Sequence, residues 1–507
     1  MSVNLKKKEG GGKEERECKK CRLGRTQMLH MYEGSATIHG VPKILSPQLY
    51  YFRRYLWTIM LIAMTIGLII FLYRSFTRFY EYPIITNTRL EFNNEMQFPA
   101  VTICNANQFR QHKIPSDDWE IKDLIFEMSE MSVLSEYFKD HFAISSPEYS
   151  FIPEPEAHLG KNLYKFALDA AHKLEDMFIV CLWGGAVVNC SKYFERVITD
   201  MGVCYTFNSN RSSPITSYGS GSMSGLRVIV DIEQPEYYFS QISLAGIQVL
   251  LHEPGSAAML TSNGFVARPG SSTAVTIRKE RIDGLSKPYK AFGSEYCMTS
   301  HESGFKTPLQ RYKDYIYTRQ TCAMNCLTDD YVKHCNCCSL FDKGEEEYCS
   351  LRTLRDCYIP YKAVANISDI LKNCTCPSRC VKDKYISSMS VADFASTFTK
   401  DYMVNNGILK NRNGSYISDN VIDLRIYYET LTVTVTEQRA EITIETILGD
   451  LGGQMGLFIG ASVLSVVELV EFVTLLLIGW HNERQEKLKT KQTPVEHINK
   501  ISSDSYL

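Results

Sequence analysis

The sequence lacks a net charge that would attract a polyanionic partner. Its 507 residues include 55 Lys and Arg against 57 Asp and Glu, so the formal net charge is −2 with His neutral. Proteins that bind nucleic acids instead concentrate basic residues in a strongly positive domain or stripe. We therefore expect no nucleic-acid partner.

The sequence also lacks the short motifs of catalysis. It contains no nucleophile elbow, no phosphate-binding loop and no cluster of metal ligands, and its 11 His residues are scattered. Cys18 and Cys21 have the spacing of one pair of zinc ligands, but no second pair lies near them. We interpret them as reduced cytosolic thiols. We expect neither an enzyme nor a cofactor nor a resident metal.

Charged residues are nearly missing from two long apolar runs. Leu56 to Leu72 contains none, and Met455 to Trp480 contains only Glu468 and Glu471. Such runs can cross a bilayer as helices, and we predict transmembrane helices at residues 55–75 and 447–480. A signal peptide does not fit the first run, which begins at residue 56 and has no small-residue cleavage pattern. A buried core helix does not fit two such uniform runs near opposite ends of the chain.

Basic residues outside these runs set the orientation of the chain. They precede the first run at Lys6, Lys7, Lys8, Lys13, Lys19, Lys20, Arg22, Arg25, Arg53 and Arg54, and follow the second at Arg484, Lys487, Lys489 and Lys491. Under the positive-inside rule both termini are cytoplasmic. We predict a two-span plasma-membrane protein with cytoplasmic segments at 1–54 and 481–507 and an extracellular domain at 76–446.

Cysteines and glycosylation sequons agree with an extracellular location for the middle of the chain. Fifteen of the 17 Cys lie between Cys104 and Cys380, and cysteine density of this kind is typical of an oxidising compartment. The same segment contains five sequons, at Asn189, Asn210, Asn366, Asn373 and Asn413. A Cys in the middle position makes Asn189 and Asn373 poorer acceptors than the other three.

The extracellular segment combines strand and helix signals. Strands are predicted at Phe98–Asn105, Cys204–Phe207, Leu226–Asp231, Ala245–Leu251, Thr273–Ile277 and Leu431–Ile447. The block from Cys322 to Cys380 has little hydrophobic periodicity, so we expect disulfides to supply much of its rigidity. The predicted fold class is an α+β membrane protein, with two transmembrane helices and a disulfide-rich extracellular domain built on a β-sheet core with helical insertions.

One predicted extracellular helix, Asp117 to Phe142, has two distinct faces. Its apolar face carries Ile121, Leu124, Ile125, Met128, Met131 and Leu134. Its acidic face carries Asp117, Asp118, Glu120, Asp123, Glu127 and Glu130. A solvated helix surface explains this face, and so does a docking surface for a cationic ligand.

The second apolar run carries features of an ion pathway. Glu468 and Glu471 are three residues apart and share a helix face, and charges inside a membrane are costly unless they face water or each other. One helix cannot enclose a water-filled path, so several subunits must surround it. With Asp450 near its outer end, the small residues Gly460, Ala461 and Ser462 indicate a cation-selective constriction. Simple helix packing through small residues is the alternative.

These residues resemble the degenerin/epithelial sodium channel superfamily, which includes the acid-sensing channels. The motif Gly449-Asp-Leu-Gly-Gly-Gln-Met-Gly-Leu-Phe-Ile-Gly-Ala-Ser462, followed by Glu468, is long and specific. His39-Gly40, Phe98-Pro-Ala-Val-Thr-Ile-Cys-Asn105, Cys204-Tyr-Thr-Phe207 and the block from Cys322 to Cys380 also match. The resemblance covers roughly residues 36 to 480.

The resemblance implies an amiloride-sensitive, sodium-selective trimer in which two further identical or homologous subunits complete the pore. Each extracellular domain would be a β-core with finger and thumb insertions. Gly460, Ala461 and Ser462 would break the second helix and form the sodium filter. The segment at His39 and Gly40 would re-enter the membrane and line the lower pore, and Gly449 would lie where bulky residues hold family pores open.

The resemblance also implies a disulfide pairing that the cysteine spacing alone leaves open. The expected pairs are Cys104–Cys204, Cys181–Cys190, Cys297–Cys380, Cys322–Cys376, Cys326–Cys374, Cys335–Cys357 and Cys337–Cys349. Cys338 is left over beside Cys337 and could compete for its partner.

The stimulus that opens the pore is predicted from positions where this sequence differs from the acid-sensing branch of the family. The acid-sensing branch carries a His after the Tyr at the exit of the first helix, whereas Tyr82 is followed by Pro83 and two isoleucines. The thumb stretch at residues 358–365 and the segment at residues 239–244 contain no carboxylate that could sense protons. The pattern is closer to invertebrate channels opened by FMRFamide-type amidated neuropeptides. The acidic face is the candidate peptide site, and Tyr82, Tyr289, Leu431 and Thr432 would couple binding to the pore.

Several alternatives stay open at this level. Proton gating and mechanical gating are possible within the same superfamily. A trimeric ATP-gated channel shares the topology, and a cysteine-rich receptor without a pore is the alternative from another class. The last residues, Ser505-Tyr506-Leu507, fit a scaffold-domain peptide, although a chance match is the simpler interpretation.

Overall fold

The computed structural model describes residues 32, 37–45, 50–116, 118–132, 134, 159–299, 311–312, 314–342, 346–407 and 413–490. The chain divides into two compact units, one made of Met1–Pro83 with Glu441–Leu507 and the other of Ile84–Ala440. Asp117, Cys18, Cys21 and the tail at Ser505–Leu507 lie outside the described residues.

Helices and strands are numbered in chain order. The α-helices are α1 (Val41–Leu45), α2 (Tyr51–Tyr80), α3 (Trp119–Glu127), α4 (Leu159–Ala170), α5 (Leu174–Met177), α6 (Cys190–Tyr193), α7 (Leu260–Asn263), α8 (Arg319–Cys335), α9 (Leu351–Thr353), α10 (Ile359–Val364), α11 (Ile367–Lys372), α12 (Thr397–Asn405), α13 (Gly414–Asn420), α14 (Ile444–Ile459) and α15 (Val463–Thr490). The strands are β1 (Ile84–Phe92), β2 (Met96–Gln97), β3 (Ala100–Asn105), β4 (Phe178–Trp183), β5 (Ala186–Val188), β6 (Phe194–Thr199), β7 (Gly202–Phe207), β8 (Thr216–Ser217), β9 (Leu226–Asp231), β10 (Ile247–His252), β11 (Phe265–Ala267), β12 (Ser271–Asp283), β13 (Val381–Asp393) and β14 (Val421–Ala440). Short 3-10 turns lie at Gln111–Lys113 and Gln234–Glu236, and a π-helical turn lies at Leu354–Tyr358.

Two helices of the first unit are long and apolar enough to cross a membrane. They are Tyr51–Tyr80 and Val463–His481, the apolar part of α15, and only 6 % of each apolar window is buried within the chain. The core helix of a soluble protein would bury far more of its apolar surface. Helix α2 extends beyond the predicted 55–75 at both ends.

The second apolar run, predicted to span 447–480, is interrupted at the three residues where the family resemblance implies a break. Helix α14 ends at Ile459 and helix α15 begins at Val463.

The prediction of a strand from Leu431 to Ile447 is wrong at its end, because β14 stops at Ala440 and α14 begins at Ile444. The Thr443 hydroxyl accepts the Thr446 N–H at 3.3 Å, and this N-cap starts the helix inside the alternating run.

The second unit is built on two principal sheets. A seven-stranded sheet has the order β13-β12-β14-β9-β4-β5, with β1 also pairing along β14, and a five-stranded sheet has the order β11-β10-β3-β7-β6. Strand β14 is long enough to pair with β9 along one part and with β1 along another. Its parallel pairing with β12 makes it a central strand of the larger sheet.

One hydrophobic core joins the inner faces of these sheets. It includes Phe98, Ile103 and Phe207 from the region of the smaller sheet and Val228 and Ile426 from the larger one. The alternation of buried and half-buried residues along Leu226–Asp231 produces the inner face of β9. A second core, under α3, α4, α8 and the π-helical turn, supports the helical insertions.

Seven disulfides stabilise this unit, and they are the seven pairs that the family resemblance implies. They join Cys104–Cys204, Cys181–Cys190, Cys297–Cys380, Cys322–Cys376, Cys326–Cys374, Cys335–Cys357 and Cys337–Cys349. Four of them lie in the segment from Cys322 to Cys376, where hydrophobic periodicity is weak. Cross-links of this kind stabilise a fold chiefly by restricting its unfolded chain.

Candidate functional site

The break between α14 and α15 is built by two opposite helix caps. Gly460 ends α14 with φ of +61°, a left-handed conformation that glycine adopts without strain. Ser462 then starts α15, because Ser462 Oγ accepts the Ser465 N–H at 3.4 Å and Ser465 Oγ accepts the Ser462 N–H at 3.0 Å. Between them Ala461 is 5 % exposed. The sequence therefore forces three non-helical residues into an otherwise membrane-spanning run.

The segment before the first long helix packs against this break. His39 donates its backbone N–H to the Ile459 carbonyl at 3.0 Å, and its Nδ1 lies 3.2 Å from the Gly460 carbonyl. A Cβ on Gly460 would lie 1.6 Å from His39 Nδ1. Gly40 is itself in the left-handed region, with φ of +92°, which lets the chain turn into α1. His39 and the filter candidates therefore form one local structure.

Thr37 of the same amino-terminal segment contacts the acidic residue Glu468. Its hydroxyl donates to Glu468 Oε2 at 2.9 Å, and its backbone N–H lies 3.3 Å from the same oxygen. The Thr37 hydroxyl is also 2.5 Å from Ser465 Oγ, and Ser465 is 2 % exposed. The Glu468 carboxylate is thus held by hydrogen bonds from the amino-terminal segment. Glu471, on the next turn, stays exposed in the isolated chain.

The α14 part of the site is open at Gly449. A Cβ on Gly449 would meet no atom within 4 Å, so a larger side chain has room in the isolated chain. Asp450 Oδ2 lies 3.5 Å from Ser75 Oγ of α2. Phe458 packs on α2 at Gly67 and Phe71, with a ring separation of 5.3 Å from Phe71. These contacts fix α14 against α2.

The acidic helix is shorter than predicted, and its carboxylates have different roles. Helix α3 ends at Glu127, and residues 135–142 of the predicted helix lie outside the described part of the chain. Asp118 caps the helix by accepting the Ile121 N–H at 3.1 Å, and Glu130 accepts the Ser243 N–H at 2.8 Å. Glu127 accepts a hydrogen bond from Ser132 and is exposed. The face is therefore partly structural.

Asp123 and Glu120 face a cation of the π-helical turn. Arg355 of that turn is influenced electrostatically by both carboxylates and is hydrogen-bonded to Asp356 at 3.0 Å. Burial raises the pKa of Asp123, and the positive charge of Arg355 partly offsets that rise. The apolar side of the helix is buried as predicted at Ile121, Leu124 and Ile125, whereas Met131 and Leu134 are exposed.

The predicted coupling residues lie in irregular backbone. Tyr82 has φ of +50° just after α2. Tyr289 is half-buried, and its N–H donates to the Ser286 carbonyl at 3.2 Å. Leu431 and Thr432 lie inside β14, where Ile277 pairs with Tyr428 but Lys279 pairs with Val433, so residues 429–432 bulge opposite Arg278. A bulge of this kind disrupts the ladder locally and bends the bulged strand.

The structure also shows the positions of the glycosylation sequons and of the leftover cysteine. All five sequon asparagines, Asn189, Asn210, Asn366, Asn373 and Asn413, are exposed, and the Asn189 and Asn413 side chains also cap short helices. Cys338 does not take the partner of Cys337, because Cys349 is bonded to Cys337 and Cys338 is a free thiol. Its buried thiol lies 3.3 Å from both Arg311 Nη1 and Glu346 Oε2, and burial raises its pKa to about 12.

Sequence reasoning missed the residues that complete the break. Thr37 and Ser465 did not stand out, because neither is charged and neither lies in a recognised motif. The interruption itself was expected from the resemblance, and a helix-ending glycine followed by a helix-starting serine is the local signal that agrees with it. The partnership of Glu468 with Thr37 joins residues 431 positions apart and has no local signature.

The comparisons with known proteins converge on one family. A sequence model described as amiloride-sensitive sodium channel matches residues 32–472. The chain is 29 % identical over 459 residues to acid-sensing ion channel 4-B of Danio rerio, with 88 % of this chain and 75 % of that protein covered. It is 28 % identical over 466 residues to acid-sensing ion channel 1 of Gallus gallus, covering 89 % and 84 %. Among solved structures it is similar to a proton-activated chloride channel with 7 % identity and a TM-score of 0.31, covering 83 % and 96 %, and so weak a likeness carries no weight.

Proposed function

The chain belongs to the amiloride-sensitive sodium channel family, and from that premise we propose that three such subunits form a sodium-selective plasma-membrane channel opened by a short amidated neuropeptide. The family consists of channels, so the enzyme and pore-free receptor interpretations fall away. Two candidate spans support a two-span membrane protein. Cytoplasmic termini follow from the flanking basic residues.

The helix break is the observation that carries the ion pathway. Residues Gly460–Ser462 interrupt a membrane span, and non-helical backbone at membrane depth is tolerated only where it is buried in protein or lines a water-filled cavity. Several chains around one axis would bring these breaks together as a ring. Glu468 and Glu471 would then face the same path and favour cations over anions. Gly449 and Asp450 would line its outer part.

Peptide gating rests on the carboxylates of the acidic face that stay accessible to solvent. Glu127 is exposed, and Glu120 is half-exposed beside Arg355, so both can meet a cationic ligand. Asp118 and Glu130 are engaged in the fold and are better assigned to its stability. A peptide would open the pore only if it bound the open conformation more tightly than the closed one.

Proton gating is the second candidate, and Asp123 favours it. Burial raises the pKa of its carboxyl, and the positive charge of Arg355 acts on it from the π-helical turn. The curated relatives named above are acid-sensing channels. Protonation of Asp123 would remove its attraction to Arg355.

Recording currents in oocytes separates the two stimuli. We expect sodium current on application of one member of a panel of amidated peptides, blocked by amiloride. Replacing Glu120 and Glu127 together by Gln should raise the half-activating peptide concentration by about tenfold, because two attractive charges are lost. Asp393→Asn is the matched control, since Asp393 is an exposed carboxylate elsewhere that pairs with Arg268.

The contrary outcome is a large current on acid steps with silence to every peptide. In that case Asp123→Asn should shift the half-activating pH, and the peptide proposal would be wrong. A Ser462→Asp variant tests the filter separately, since an unchanged preference for sodium over potassium would place the filter elsewhere.

A further inference from the structure

A cleft lies in the Ile84–Ala440 unit, apart from the acidic face and the helix break. It has a volume of about 940 Å³. Three chain segments form its walls: the loop from Lys287 to Met298, the first turn of α8, and α11 with the loop that follows it. Its lining residues were assigned from the sequence only to disulfides and, at Ser368 and Thr375, to the sequons of Asn366 and Asn373.

Disulfides fix the walls of the cleft. Cys297, Cys374 and Cys376 line it, and they are bonded to Cys380, Cys326 and Cys322 respectively. Because these cross-links tie all three wall segments to neighbouring elements, the cleft is formed before any ligand arrives. Sites for small molecules are usually preformed concavities of this kind, of several hundred cubic ångströms.

The charges that line the cleft are mainly positive. Lys287, Arg319 and Lys372 line it, and Glu295 is the single carboxylate in its described lining. Arg319 reaches Glu295 over distances of 3.2 and 3.4 Å, and Lys372 pairs with Asp369 at 2.9 Å. Lys287 has no carboxylate partner among the described residues, and its ammonium lies 5.9 Å from the Tyr296 ring centre.

A fourth cation adds to this excess beside the cleft. Lys382 is half-buried with its ammonium 4.5 Å from the Phe292 ring centre, and no carboxylate pairs with it in the described part of the chain. Burial lowers the pKa of Lys382, and the charges of Arg319 and Lys384 lower it further. The positive potential near Arg319 is therefore incompletely neutralised. An anion would relieve this repulsion.

The remaining lining is apolar or neutral. Met298, Leu371, Pro377 and the exposed ring of Tyr296 alternate with the cations. A purely inorganic anion would leave this apolar surface in water, whereas an organic anion would cover it. A cationic peptide of the kind proposed as agonist would be repelled.

We propose that this cleft binds an organic anion, with a carboxylate or sulfonate head beside Arg319 and Lys287 and an apolar body against Leu371 and Tyr296. The head group exchanges hydrogen bonds to water for charge-assisted bonds to two cations. The body removes apolar surface from water. The site is distinct from the peptide site and does not depend on how the pore is opened.

Calorimetric titration of the purified full-length channel in lipid nanodiscs with naphthalene sulfonate tests the proposal. We expect saturable binding with one site per subunit. Arg319→Gln and Lys287→Gln should each weaken it by about tenfold, because each removes a charge-assisted contact. Glu295→Gln should strengthen binding, since it releases Arg319 from its carboxylate. A gain of affinity cannot result from misfolding.

Arg268→Gln is the matched control, because Arg268 is an exposed Arg that pairs with Asp393 and does not line the cleft. It should bind like the unaltered chain. Uncharged naphthalene methanol should bind much more weakly than the sulfonate, which isolates the contribution of the head group. Equal affinity in the Arg319→Gln, Lys287→Gln and Arg268→Gln variants would overturn the proposal, as would the absence of saturable binding.

Discussion

At the scale of single residues, His252 is packed in a way that keeps its ring neutral. Ser256 Oγ donates to the Glu253 carbonyl at 2.7 Å, so its oxygen accepts from His252 Nδ1 at 2.9 Å. The Nε2 atom is then free to accept from the Thr102 hydroxyl at 2.9 Å. Adding a proton at Nε2 would require the Thr102 hydroxyl to turn and donate to Thr206 Oγ1, which lies 2.8 Å away. Burial, the larger influence, lowers the pKa of His252 to about 4.

This environment predicts a loss of stability in mild acid. The unfolded chain takes up a proton on this histidine below pH 6.5, its ordinary pKa, whereas the folded chain does so only near pH 4. The free energy of unfolding therefore falls as the pH drops through this window. The change is at most about 3 kcal/mol, and smaller to the extent that part of His252 stays exposed.

Replacing His252 by Gln should flatten this acid dependence. We expect the variant to have a lower melting temperature at pH 7, because packing is lost, but a smaller further decrease between pH 7 and pH 4.5 than the unaltered channel. Differential scanning fluorimetry of the trimer in nanodiscs measures both values. His112→Gln, at an exposed position bonded to Glu236, should leave the decrease in place. An identical decrease in the His252→Gln variant would contradict the assignment.

At the scale of helices and strands, the sequence predicts elements better than their ends. The apolar runs, the strands at Phe98–Asn105 and Leu226–Asp231 and the buried side of α3 follow from periodicity, which depends on neighbouring residues. The end of β14 at Ala440 depends instead on the single cap at Thr443. The bulge opposite Arg278 depends on pairing between strands that are far apart in sequence. Short-range patterns carry no information on the bulge, whereas the Thr443 cap is a local signal that the strand prediction overlooked.

The candidate site divides in the same way. Glu468, Gly460 and His39 were identified from composition and family motifs, and the disulfide pairs came from the resemblance. The contacts that these residues make could not be predicted, because partners such as Thr37 and Glu468 meet only in the folded chain. The sequence also did not show that part of the acidic face is used for helix capping. A carboxylate at a helix start has the same sequence signature whether it caps the helix or binds a ligand.

The helix break supplies a prediction at this scale. Gly460→Ala places a Cβ within 1.6 Å of His39 Nδ1 and forces a left-handed backbone on a residue that disfavours it. The backbone cost alone is about 1–2 kcal/mol. We expect the amino-terminal segment to lose its contact, and sodium current per surface channel to fall by about tenfold or more, corresponding to roughly 1.4 kcal/mol. Two-electrode recording with surface biotinylation measures this ratio.

Gly456→Ala is the matched control for that variant. Gly456 is one turn earlier in α14, and a Cβ there would meet no atom within 4 Å. Alanine also suits a helix interior better than glycine does. The control should conduct and select like the unaltered channel. If both variants behave alike, the left-handed turn at Gly460 is not required for conduction.

At the scale of the whole molecule, a single chain is an incomplete pore. Its two spans expose most of their apolar side chains, and its helix break provides only one set of small residues. Glu471 also has a solvent-exposed side chain, although it lies on a helix that must cross a membrane. Burying such a carboxylate against lipid would be costly. Several copies of the chain around a common axis avoid the free-energy cost of a carboxylate in lipid, because the acidic side chains then share one aqueous path.

Mixing subunits tests how many copies share that path. When the unaltered chain and Gly460→Ala are co-expressed in equal amounts, random assembly into trimers leaves about one eighth of the channels free of the variant. If one defective break disrupts the shared filter, the current should fall to about that fraction of the current from unaltered chains at the same surface density. Co-expression with Gly456→Ala should leave the current unchanged, because a Cβ at Gly456 would meet no atom within 4 Å and the hydrogen bond from the Gly460 N–H to the Gly456 carbonyl does not involve the side chain. A residual current of about one half would instead mean that each chain conducts by itself, and the shared-axis account of Glu468 and Glu471 would then be wrong.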